Sequence, residues 1–153
     1  MVFGIGTQAN NGIGSATVLN VDANTGNVVT LYNGQTYVDS YIDSGSNALF
    51  FGTRAFATCG KPLDGFYCPA TTQNGSATIQ GTNGTSSPAN FSIANASQLA
   101  TANPTYFAFS NLGGINPDSL GFAWGLPFHY GRNVFTAIET RSTPAGTGPY
   151  VAF

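Results

Sequence analysis

The sequence predicts an all-β fold with little helix, on three observations. Short runs of β-branched and aromatic residues recur along the chain, separated at close intervals by Gly, Asn, Asp and Pro, which is the punctuation of strands and turns. The apolar spacing of an amphipathic helix is nearly absent. Aromatic residues make up 13% of the chain and charged residues 7%, against about 25% charged in typical soluble domains. Large side chains are therefore available for a core, under a surface made polar by Asn, Ser, Thr and Gly. At 153 residues the chain is expected to form one domain, 1–153.

The elements follow in order. A first strand is expected over residues 15–21. The clearest unit comes next: residues 28–32 and 35–38 flank Asn33 and Gly34, and Asn-Gly between two strand-like runs is a hairpin signal because both central residues must take positive φ. Further strands are expected at residues 41–42, 48–51, 77–80 and 89–94, with the turn-forming stretch 81–88 making a second hairpin of the last two. Residues 96–102 alone have helical character, and Pro104 stops them. Strands at 106–109, 122–124 and 134–139 follow. The Gly-, Thr- and Pro-rich segment 142–149 reads as a surface tail, so 142–153 is expected to be peripheral, with residues 150–153 docking as an edge strand.

Composition excludes several classes of function. Four basic residues, Arg54, Lys61, Arg132 and Arg141, are too few and too scattered to neutralise a run of phosphates, so no nucleic-acid partner is expected. No apolar run approaches about 18 residues, so no membrane span is expected, and the first residues lack the basic-then-apolar order of a signal peptide. The chain reads as a piece of a longer protein. Cys59 and Cys68 lie close together around Pro62 and Gly65. With one histidine in the chain, His129, far downstream, they lack the further ligands of a metal site, so no metal is expected. A disulfide is the favoured reading and a pair of buried free thiols the alternative. A disulfide in a chain poor in Lys and Glu points to an extracytoplasmic location: secreted, periplasmic or cell envelope.

Among candidate chemistries, the patterns at Gly4, Gly6 and Gly12, Gly14 lack the strand–turn–helix setting of a dinucleotide-binding turn, and no cofactor is expected. No Gly-x-Ser-x-Gly elbow accompanies His129, which reads as a packed, hydrogen-bonded residue of the core or its rim. Of the six carboxylates, Asp22, Asp39, Asp64, Asp118 and Glu139 mostly fall where turns favour an acidic residue. Asp43 is different. It follows the apolar strand end Tyr41, Ile42 and precedes Ser44, Gly45 and Ser46, whose amides and hydroxyls can point back at its carboxylate and favour its ionised form. An Asp-led turn joining two strands is the plainer reading of the same residues.

Residues 41–50 resemble the signature of the pepsin-like aspartic peptidases: two apolar residues, Asp, Ser or Thr, Gly, Ser or Thr, then an apolar strand. Ala123, Trp124 and Gly125, followed by the apolar run 134–138, resemble that family's second signature, two apolar residues and Gly, which crosses under the Asp turn. More narrowly, residues 3–11, 42–50 and 125–132 resemble the downstream half of a bacterial exported family called domain of unknown function 3443, whose upstream half carries its own Asp-Thr-Gly-Ser. No copy of that motif occurs here.

The resemblance implies a pepsin-like acid-protease lobe, a six-stranded type of barrel or sandwich with crossing loops. It implies Asp43 as one of two catalytic carboxylates, Gly45 as the point of close backbone approach and Ser46 as hydrogen-bond partner of the outer oxygen of Asp43. Ser44 would grip the opposite lobe, and Trp124 and Gly125 would form the crossing loop. Leu126 stands where pepsins often carry Asp. The implied partners are a peptide substrate and a second protease-like lobe, from the same precursor or a second copy, so the isolated chain is expected to be inactive. The alternative is a non-catalytic cell-envelope β-domain that binds peptide or glycan, with Trp124, Tyr130 and Tyr150 as contact residues.

Overall fold

A computed structural model describes residues 2–153. Along the chain the elements are β1 (Val18–Asn20), β2 (Val28–Tyr32), β3 (Gln35–Ile42), β4 (Leu49–Phe51), β5 (Gln73–Gln80), β6 (Ser86–Ile93), α1 (Ala96–Ala102), β7 (Gly113–Gly114), β8 (Gly121–Trp124), α2 (Leu126–His129), β9 (Phe135–Ala137), β10 (Ser142–Thr143), β11 (Gly146–Thr147) and β12 (Tyr150–Ala152). The protein is mostly β with little helix. Seven strands form one sheet in the order β6-β5-β2-β3-β8-β4-β7, and β1-β12-β9 form a second.

The β2–β3 hairpin turns at Asn33 (φ 51°) and Gly34 (φ 78°), both in the left-handed region that this tight turn requires. The two short segments expected at 35–38 and 41–42 are one strand, β3, because pairing with β8 carries the ladder on from Asp39 to Ile42. The second hairpin closes at residues 81–85, through the Gly81 amide to the Thr85 carbonyl at 2.9 Å. Its strands are longer than expected because Pro88, read as part of the turn, sits in edge strand β6, where its missing N–H costs no ladder bond.

Two expectations are corrected. Residues 106–109 form no strand; they run as an irregular connection with Tyr106 and Phe107 exposed, because no neighbouring strand takes up their backbone groups. The terminal strand β12 is not an edge strand: it pairs with both β1 and β9, and Tyr150, Val151 and Ala152 are buried. Residues 150–152 are therefore core, and only the β10–β11 hairpin of the segment 142–153 lies outward.

Aromatic side chains on one face of the large sheet fill the main core. Phe122 stacks between Phe51 (centroids 4.5 Å apart) and Trp124 (4.3 Å), with Tyr32, Tyr37 and Phe91 edge-on to it. Trp124 is fully buried, so its indole N–H needs a partner, and it donates to Thr30 Oγ1 at 3.0 Å.

Candidate functional site

Strands β3 and β4 are joined by the turn at residues 43–48, yet they are not neighbours in the sheet. β8 lies between them, parallel to β3 and antiparallel to β4. The Asp43 amide donates to the Trp124 carbonyl at 3.0 Å, extending the β3–β8 ladder to the start of the turn. Gly125 then runs directly against the turn: a Cβ there would stand 2.1 Å from the Ala48 carbonyl oxygen and 2.7 Å from that of Ser46. Only glycine fits this approach. The Leu126 amide donates to the Ser46 carbonyl at 2.7 Å, and α2 departs from that point.

The Asp43 carboxylate is held from its own turn. Oδ1 accepts from the Gly45 amide at 2.7 Å and Oδ2 from the Ser46 hydroxyl at 2.6 Å. The Ser46 hydroxyl, the Gly45 and Ser46 amides and the nearby His129 hold its pKa below the ordinary value, against a smaller opposing effect of partial burial. Gly45 sits tightly, since a Cβ on it would be 3.0 Å from Oδ1. Ser44 is exposed at the rim. Asn47 donates to the Phe107 carbonyl at 2.8 Å, which ties an exposed aromatic residue to the same turn.

His129, at the end of α2, stands close enough to Asp43 for each to favour the other's charged form, while burial and Arg132 disfavour the charge on the imidazole. Its Nε2 is buried without a partner, so the hydrogen bond expected of it there is not made. No sequence motif links His129 to Asp43; folding of the crossing loop brings them together. Trp124 and Tyr150 are buried and cannot be contact residues for a ligand in the sense first expected; Tyr130 is half-exposed. Cys59 and Cys68 form a disulfide, in a separate loop. Among the described residues, no three His, Cys, Asp or Glu side chains cluster as metal ligands, and no helix is long and apolar enough to cross a membrane.

A family described as "Protein of unknown function (DUF3443)" matches residues 1–153. No curated protein and no solved structure matches the chain.

Proposed function

We propose, for a chain that belongs to the family of proteins of unknown function DUF3443, that it is one pepsin-like lobe of an exported aspartic endopeptidase and supplies Asp43 to a two-carboxylate dyad. The observation that carries this reading is the threading of β8 between β3 and β4, which puts Trp124 and Gly125 under the Asp43 turn, as the second signature of a pepsin-like lobe crosses under its catalytic Asp. A structural Asp turn between two adjacent strands would need no third strand beneath it. The disulfide supports an extracytoplasmic setting.

Two carboxylates about 3 Å apart share one proton, because both cannot ionise together. The Ser46 and Gly45 donors favour the ionised form of Asp43, so in the shared state Asp43 is the base that takes a proton from the attacking water. The partner carboxylate keeps the shared proton and donates it in a hydrogen bond to the scissile carbonyl. One lobe supplies half of this. The second comes from the upstream part of the same precursor or from another copy, and the exposed Phe107 beside the turn suits a surface that another lobe covers.

The test is cleavage of an unstructured protein substrate at about pH 3–5 by this chain alone, by the chain combined with its upstream half, and by the combination carrying Asp43→Asn. Cleavage is expected only in the second case, with the Asp43→Asn protein still folded by circular dichroism. Cleavage by the strictly monomeric chain, or undiminished cleavage by the variant, overturns the reading.

A further inference from the structure

In an Asn-Gly pair the glycine nitrogen can attack the asparagine side-chain amide, because glycine has no Cβ to shield it. The pair occurs four times in this chain, at Asn11, Asn33, Asn74 and Asn83. The covalent chemistry is the same at each, so the fold decides which of them reacts. Asn11 is buried, and its Oδ1 accepts from the Gln8 amide at 2.8 Å while Nδ2 donates to the Gly4 carbonyl at 2.6 Å. Asn83 is exposed, but its Nδ2 donates to the Val18 carbonyl at 3.3 Å, and the nitrogen that would attack, that of Gly84, donates to the Gly81 carbonyl at 3.0 Å. Asn74 is exposed in β5, where Gly75 stands opposite Phe91 and Thr78 opposite Pro88. Pro88 has no N–H, so the hydrogen-bonded pairs of this ladder fall on the odd-numbered residues of β5, and the Gly75 amide is among them. The Phe91 ring also covers Gly75, since a Cβ there would stand 2.5 Å from it.

Asn33 is held by none of these devices. It is exposed at the tip of the β2–β3 hairpin with φ 51°, and among the described residues its side chain makes no hydrogen bond and the Gly34 amide no backbone one. The ladder closes behind them at the Tyr32–Gln35 pair, and a Cβ on Gly34 would meet nothing within 4 Å. From this contrast we infer that Asn33 is a site of spontaneous covalent modification, passing through a succinimide to aspartate and isoaspartate. The Gly34 nitrogen attacks Asn33 Cγ. The new N–Cγ bond replaces the Cγ–Nδ2 bond, the Gly34 amide proton reaches the leaving nitrogen through solvent, and ammonia departs. Water then adds to either ring carbonyl and opens the ring, with no change of oxidation state. Ring closure draws Gly34 out of the tight-turn geometry, so the reaction runs through local opening of the hairpin tip. Isoaspartate carries the main chain through its side-chain carbon and lengthens a two-residue turn whose length sets the strand register. Because β2 and β3 are central in the seven-stranded sheet, conversion weakens the fold from its middle. The inference uses none of the groups that hold Asp43 and stands or falls apart from the two-lobe reading.

The experiment ages the folded chain at mildly alkaline pH, below its melting temperature, beside a second sample aged in urea. Chymotryptic peptide mapping with fragment-ion mass spectrometry reads each Asn-Gly pair. In urea the pairs should convert at rates within about threefold of one another, whereas in the folded chain Asn33 should convert at least about tenfold faster than Asn11, Asn74 or Asn83. Both isoaspartate and aspartate are expected at position 33, the mark of a succinimide. The aged wild type should show a lowered urea midpoint. Asn33→Gly keeps residues that a two-residue turn accepts and lacks the amide, so its midpoint should hold over the same interval. Another Asn-Gly pair converting as fast as Asn33 in the folded chain, the same spread of rates folded and unfolded, aspartate alone at position 33, or a midpoint that falls equally in both proteins or in neither overturns the assignment.

Discussion

Asp43 could be read from the sequence because the groups that hold its carboxylate, Gly45 and Ser46, lie within three residues of it. His129 and Arg132 could not be weighed that way, since what gives them their character is their surroundings in the folded chain. Burial holds the His129 imidazole below its ordinary value of 6.5, opposed by the Asp43 carboxylate and reinforced by Arg132. As pH falls, the unfolded chain therefore takes up this proton before the folded one does. The stability that His129 contributes is present above 6.5 and is lost as pH drops through the lowered folded value. Asp43, also lowered, acts in the same direction but in a separate window below 3.8. Thermal melts between about pH 7 and pH 5 should show a fall in Tm for the wild type that is smaller in His129→Gln. Parallel curves for the two proteins would mean that His129 titrates normally.

At the scale of single elements, those defined by local chemistry came through best. Helix α1 matches its expected range because its signals are neighbours: Asn95 caps it by accepting from the Gln98 amide at 3.1 Å, and Pro104 follows its end. The β2–β3 hairpin was equally plain in Asn33 and Gly34. Residues 106–109 have strand-like composition, but a strand exists only where a partner meets its backbone groups, and none does there. The 41–42 run, by contrast, grew into β3 because β8 was available to pair with it. The crossing of β8 and Gly125 under the Asp43 turn makes a sharp prediction at this scale. Gly125→Val forces atoms into the Ala48 and Ser46 carbonyls, which are backbone and cannot swing aside. It should cost about 2 kcal/mol or more by overpacking, read as a lowered midpoint in urea denaturation, whereas Gly12→Ala, at a position with open space around it, should cost far less. Equal midpoints for the two variants would contradict the close approach.

For the molecule as a whole, the disulfide is the one covalent tie, joining Cys59 to Cys68 at a sequence separation of 9. Closing so short a loop restricts the unfolded chain by about 2–3 kcal/mol. The loop is also held by the ladder at Tyr67, whose amide donates to the Gly113 carbonyl at 2.9 Å. Reduction is therefore expected to lower the unfolding free energy by about 2–3 kcal/mol, read as a lower urea midpoint, while the far-ultraviolet spectrum of the native sheet persists; loss of the sheet on reduction would mean that the ladder cannot stand alone. The β class, the Asn33–Gly34 turn, the cysteine loop and the shell of Asp43 were legible in the order of residues alone. Each of these rests on interactions among residues a few positions apart, where composition and spacing report the physics directly. That β8 lies between β3 and β4, that β12 is the middle strand of its sheet, and that His129 stands near Asp43 came from the folded chain alone. Those depend on which distant strands satisfy one another's hydrogen bonds and bury one another's aromatic faces, a competition among many partners that no local pattern encodes.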